Sequence, residues 1–346
     1  MRGRLVLLLL LILAALGATR PAPGAPRVET VLKHLEVPWA LAFAPDGRLF
    51  FTERPGRLRV VSDGKLATEP VARLPVSAGG EGGLMGLAID PDFARTHHLY
   101  VCYTAATRGG AVNRITRLTL REGRADAERI LLDDMPAAWI HDGCRLKFGP
   151  DGKLYASMGD AGQAQRAQQR DSLSGKILRI ETDGSVPADN PFRGSPVWSL
   201  GHRNVQGVAW DAAGRLWASE HGSSAHDEIN LIQPGRNYGW PEVQGRETRE
   251  GLVAPVLESG DETWAPSGIA ILHDTLYVAG LRSQRLLKIA LAGDKVGSVT
   301  ALLKGEYGRL RDVVAGPDGA LWIATSNRDG RGTPHADDDR ILKVTP

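Results

Sequence analysis

One phrase returns six times along this chain: an apolar run, a tight acidic turn and a second apolar run. The copies are LAFAPDGRLFFTE (41–53), LMGLAIDPDFARTHHLYVCYT (84–104), LKFGPDGKLYASMGD (146–160), GVAWDAAGRLWASEHG (207–222), GIAILHDTLYVAGL (268–281) and DVVAGPDGALWIATSN (312–327). Asp-Gly between β-rich runs marks a hairpin. Turns recurring roughly every 45 to 63 residues, with room for about four strands per unit, indicate a β-propeller, here all-β with six blades. Each hairpin has a turned end, expected to be chemically bland, and an open end where function is expected.

The repeat fills nearly all of the 346 residues, so a single propeller domain over 28–346 is expected. Turn-forming residues are abundant, with 41 Gly and 21 Pro. The 42 basic and 40 acidic residues leave a net charge of +2, which provides no footprint for nucleic acid. Arg2 and Arg4, the apolar run Leu5–Ala15 and the small residues around Ala18 read as a signal peptide over 1–18, followed by a disordered lead-in over 19–27. The apolar run falls short of the ~20 residues a membrane span needs. The expectation is an exported protein, periplasmic or secreted, with no stable anchor after processing. Export permits a disulfide between Cys102 and Cys144, and two free thiols are the open alternative. A chain this large does not depend on such a staple.

In an antiparallel hairpin, the residues before the first strand and after the second share one end. His141 and Arg145 precede the third hairpin and Asp160 follows it. Arg203, Asn204 and Gln206 precede the fourth, and His221-Gly222-Ser223 leave it. The sixth has Arg309 and Arg311 before it and Asn327-Arg328-Asp329 after it. Glu81 precedes the second, Trp39 precedes the first, and Arg282 follows the fifth. Radial packing of equivalent hairpins puts all of these on one rim, at a concave mouth suited to a ligand. The bland readings are local. Arg311 can pair with its neighbour Asp312, the Asp of each Pro-Asp-Gly is a turn former, and Asp337–Asp339 reads as a solvated acidic run.

The motifs carry a specific resemblance. HDGCRL (141–146), SLSGKILRI (172–180), DGSVPADNPF (183–192), SLGHRNVQG (199–207), SEHG (219–222), DEINLI (227–232), NYGWPEV (237–243), AGLRSQRLLKI (279–289) and GRLRDVVAGPDG (308–319) follow the order found in soluble quinoprotein glucose dehydrogenases and aldose sugar dehydrogenases. The chain is more similar to the compact aldose branch, since no long insertions interrupt the blades. The resemblance implies a propeller that binds pyrroloquinoline quinone (PQQ) and calcium and oxidises the C1 hydroxyl of aldoses to lactones by hydride transfer. It implies His141 as general base, with Asp160 orienting it, and Arg203 at the reactive quinone carbonyl. Asn204 and Gln206 would hydrogen-bond the cofactor, and Arg282, Arg309 and Arg311 would hold its carboxylates. Glu81 stands where the glucose-oxidising branch has Gln, and Arg282 where it has Lys. Carbonyls of Gly222 and Ser223, where that branch has Gly-Pro, would hold the catalytic calcium. Glu228 and Tyr238 match a second, structural calcium site.

The chemistry is consistent. A quinone bearing three carboxylates suits arginine forks, calcium takes carbonyl oxygens, and a histidine of ordinary pKa ~6.5 accepts a hydroxyl proton near neutrality. Two rivals remain open: a calcium-dependent propeller lactonase, and a non-enzymatic binding propeller. Four rim arginines exceed what a neutral lactone needs. No C-x-x-C-H haem motif is present, so electrons would leave through a separate acceptor. Short loops and few apolar stretches point to a monomer.

Overall fold

A computed structural model describes residues 26–345, and the signal-peptide reading lies outside them. The repeat folds as its pattern requires. Six antiparallel sheets form six blades, each led by one copy of the repeat. The innermost strands are Pro38–Phe43, Leu84–Ile89, Leu146–Phe148, Val205–Trp210, Pro266–Leu272 and Leu310–Ala315. Each packs against the next around the ring, and the sixth packs against the first. Arg27–Leu32 joins the sixth blade as its outer strand by pairing with Ile341–Thr345, which closes the ring. Arg27 is therefore already in a strand, one residue earlier than the expected domain boundary. One sheet has a fifth short strand, Ala72–Arg73. Among the described residues no helix is long and apolar enough to cross a membrane.

The second strand of a blade is mostly buried, and throughout in Leu49–Glu53, Leu154–Met158 and Leu216–Glu220. Its small hydroxyl side chain reaches the inner strand of the following blade. Thr52 donates to the Met85 carbonyl at 2.7 Å, Ser157 to Val205 at 2.7 Å and Ser219 to Ser267 at 2.6 Å. These bonds satisfy inner-strand carbonyls that would otherwise lack a donor. The turn aspartates act as turn formers: Asp46, Asp151 and Asp318 each accept a main-chain N–H two residues on, at 3.1 Å.

One local reading needs correction, and one left open is decided. Asp338 and Asp339 are fully buried, not solvated. Asp338 pairs with Arg340 at 2.8 Å, and Asp339 accepts the main-chain N–H groups of Asn327 and Arg328. They hold the loop after the sixth hairpin in place. Cys102 and Cys144 form a disulfide between the second strand of the second blade and the loop entering the third.

Candidate active site

The open ends of the hairpins converge on one rim, where the ladders are irregular. Register shifts fall at the start of the inner strand in five blades: between Pro38 and Leu41, Leu84 and Leu87, Val205 and Gly207, Pro266 and Ile269, and Leu310 and Asp312. Bulges of this kind re-aim side chains. Gln206 and Arg311 sit inside two of them. Gly207 follows Gln206 because a Cβ there would strike the Ser267 carbonyl of the adjacent inner strand.

The third blade has no such shift and uses a tight loop instead. His141, Gly143 and Cys144 have φ of +61°, +63° and +70°. The His141 N–H donates to Glu81 at 2.8 Å. His141 Nδ1 lies 2.7 Å from Asp160 Oδ1. Asp160 also accepts Trp240 Nε1–H at 2.9 Å and the Gly162 N–H at 2.8 Å. Burial alone would raise the Asp160 carboxyl, but these bonds and the His141 charge hold it below the usual carboxylate range. When the ring is neutral, an ionised Asp160 favours the tautomer with hydrogen on Nδ1, which leaves Nε2 as an acceptor.

Beside this dyad lies a set of buried polar groups. Asn204 is 0% exposed, and neither its amide oxygen nor its amide nitrogen has a partner among the described residues. The same holds for Nε of Arg203, Nε of Arg311 and Nε2 of His221. The guanidinium of Arg203 lies 5.3 Å from the Trp240 ring centre, and its Nη1 donates to the His221 carbonyl at 3.3 Å. Arg311 donates to Gln206 Oε1 at 2.8 Å. Arg309 and Arg311 share Asp329, at 2.9 and 3.3 Å, so Arg311 does not pair with Asp312. Burial pushes the Arg311 pKa down to about 10, leaving it cationic at neutral pH. Burial likewise pushes His221 down to about 4, so its ring is neutral. Glu81 bridges the dyad to Arg331 at 2.8 Å.

The remaining expected residues are placed as follows. Arg282 is exposed on the rim and forms no ion pair among the described residues, while its neighbour Leu281 accepts from Arg309. Gly222, Ser223, Glu228 and Tyr238 line one cleft together with Arg203 and Trp240, so the two expected calcium positions are neighbours. The Gly222 N–H is held by Asp227 at 2.9 Å, and Ser223 is exposed. Glu228 faces Glu220 across the ladder. Burial and then the Glu220 charge push the Glu228 carboxyl up to about 8. Two crowded carboxylates, with Asn230 Oδ1 unpartnered alongside, suit a hard cation. The Tyr238 hydroxyl is already engaged, donating to the Leu231 carbonyl and accepting from the Gln233 N–H, so only its main-chain oxygen is left for a metal. Among the described residues no three His, Cys, Asp or Glu side chains converge as a metal cage.

Sequence reasoning left several participants unassigned. Trp240 and Glu220 anchor Asp160 and the Arg203 N–H, Asp227 pins the loop after the fourth hairpin, Asp329 joins the two arginines, and His221 faces the cleft. His221 and Asp329 were visible as open-end residues. Nothing in sequence spacing marks Trp240, which reaches Asp160 from 80 residues away.

The sequence profile of the Glucose / Sorbosone dehydrogenase family matches residues 35–335. Aldose sugar dehydrogenase YliI of Escherichia coli is 33% identical, over 94% of each chain. Quinoprotein glucose dehydrogenase B of Acinetobacter calcoaceticus is 35% identical over 65% of this chain and 54% of its own. The PQQ-bound aldose sugar dehydrogenase of Streptomyces coelicolor superposes with a TM-score of 0.86 at 43% identity, covering 93% of this chain and 98% of that one. A matching profile over most of the chain, with relatives of this identity and coverage, places the protein in the glucose/sorbosone dehydrogenase family.

Proposed function

We propose that this protein is an exported PQQ-dependent aldose sugar dehydrogenase that oxidises the C1 hydroxyl of aldoses to lactones. The observation that carries the reading is the His141–Asp160 dyad set against Asn204, a fully buried amide with no partner among the described residues. A buried polar group without a partner costs about 1–3 kcal/mol. Asn204, Arg203 and Arg311 together present several such groups beside one base, which fits a flat polar ligand bearing carbonyls and carboxylates. Arg309 and Arg311 would hold the carboxylates, Arg203 the carbonyl edge, and Asn204 and Gln206 the ring substituents. Arg282, exposed on the rim, would contact the outer edge. When bound, PQQ supplies the acceptor for the C1 hydride.

The protein's own part is proton transfer and positioning. His141 Nε2 accepts the C1 hydroxyl proton as the hydride leaves. Asp160 stabilises the imidazolium that results, and Trp240 fixes the second oxygen of Asp160. Glu81 restrains the His141 main chain. Carbonyls of Gly222 and Ser223 would hold calcium next to Arg203, and Glu228 with the Tyr238 carbonyl would hold a second ion. An external acceptor would take the electrons, and the protein would act as a monomer.

The test is reconstitution. Protein stripped with EDTA and dialysed should be inactive towards aldoses with an artificial electron acceptor. Activity should return only when PQQ and calcium are added together. Undiminished activity in the stripped protein, or efficient use of NAD, would reject the reading. Calcium-dependent lactone hydrolysis without PQQ would favour the hydrolase, and no activity of any kind with the cofactors bound would favour the binding module.

A further inference from the structure

The turned face of the propeller is not chemically bland. The channel inside the six inner strands opens there into a cavity of about 510 Å³, within the range of small-ligand sites. All six inner strands line it, with aliphatic residues such as Leu87, Val208 and Ile269 on the walls. Three charged side chains interrupt this apolar lining: Arg145, Lys147 and Asp312.

These three charges do not balance. Asp312 pairs with Arg145 at 3.0 Å and accepts the Leu41 N–H at 2.8 Å. Arg145 is 5% exposed, donates through Nε to the Gln206 carbonyl at 2.7 Å, and leaves Nη2 with no partner. Its guanidinium carbon lies 4.1 Å from the Trp39 ring centre, and that of Arg311 lies 5.8 Å from the same ring. Trp39 and Gln206 thus form the partition between this cavity and the rim site. Lys147 has no hydrogen-bond or ion-pair partner among the described residues. Burial depresses its pKa, only partly offset by the Asp312 charge. Two basic groups face one carboxylate that is already paired with Arg145, so the Lys147 amine is left without a counter-group in the cavity.

We propose that this cavity is a second ligand site, separate from the sugar site, which binds a small monoanion with an apolar tail, such as an aliphatic monocarboxylate. The anionic head bonds Lys147 Nζ and Arg145 Nη2, and the tail lies along the aliphatic walls towards the turned face. A monoanion would favour the ammonium form of half-buried Lys147 and pair with it without displacing Asp312 from Arg145. The apolar walls exclude a bare inorganic ion as the best occupant, because it would leave them unfilled.

Titration calorimetry with hexanoate, 1-hexanol and hexylammonium tests the site, on protein both without PQQ and saturated with PQQ and calcium. Hexanoate should bind with one-to-one stoichiometry, at least tenfold more tightly than 1-hexanol, whether or not PQQ is bound. Hexylammonium should not bind. Lys147→Met, which keeps the length and removes the charge, should weaken hexanoate at least tenfold and leave 1-hexanol unchanged. The wild-type series is decisive by itself if the variant folds poorly. Hexanoate binding no better than 1-hexanol overturns the proposal. So does an unaffected variant, or hexanoate binding lost on PQQ saturation, which would place the carboxylate at Arg309 and Arg311. If PQQ itself fails to bind, the proposed function falls while the channel measurement still stands.

Discussion

His141 occupies a backbone conformation, φ +61°, that non-glycine residues seldom adopt, so the surrounding bonds must hold it there. They include the Glu81 contact to its N–H and the Ala161 N–H donated to its carbonyl at 3.2 Å. Such over-determination is expected of a base that must meet a substrate hydroxyl in one geometry. His141→Ala is therefore expected to lower kcat by ~100- to 10,000-fold while PQQ still binds. Asp160→Asn, which disturbs only the partner of the base, should cost less. Steady-state kinetics beside a PQQ titration separate the two effects, and near-normal turnover in His141→Ala would remove it as the base.

The adjacent Asp142 behaves differently. It is 1% exposed, and Oδ1 accepts from Asn113 and Ala138 at 3.1 Å, while Oδ2 has no partner. Burial pushes its carboxyl up to about 7, so the folded protein keeps a proton that the unfolded chain releases near ~4. The stabilisation from this group is complete below ~4 and is lost as pH rises through about 7. Asp142→Asn should raise stability at pH 8 by on the order of 3 kcal/mol and change little near pH 4. Melting curves at the two pH values check this, and an equal shift at both would contradict it.

Among the elements, the loop from His141 to Arg145 depends most on distant parts of the chain. The disulfide ties it to the second blade, three residues from the base, and closes a segment with a sequence separation of 42. Restricting the unfolded chain by that amount is worth about 4 kcal/mol in the chain-entropy picture. The double variant Cys102→Ala, Cys144→Ala should lose about that much stability. The wild type should lose as much with reductant present. Denaturant titrations of both provide the check, and stability indifferent to reductant would show that packing alone holds the loop. The bulges at the other inner-strand starts do the corresponding work without covalent help. Two of them hold Gln206 and Arg311, whose side chains meet at 2.8 Å.

For the molecule as a whole, the ring divides chemistry between two faces of one channel. The rim holds the base, the arginines and the unpartnered amide. The turned side holds Arg145, Lys147 and Asp312 around an apolar cavity. The sixfold repeat, its Asp-Gly turns and the polar residues flanking each hairpin were enough to read a six-bladed propeller from the sequence. They also put His141 and Asp160 at one end of one hairpin, because strand alternation and hairpin pairing are local rules. Closure by Arg27–Leu32, the burial of Asp338 and Asp339, the choice of Asp329 over Asp312 by Arg311 and the Trp240 bond to Asp160 were not legible, and the disulfide was legible only as one of two options. Each depends on which blades become neighbours and how far a side chain reaches across the ring. Those distances are set by packing between segments tens to hundreds of residues apart, which no local pattern in the chain encodes.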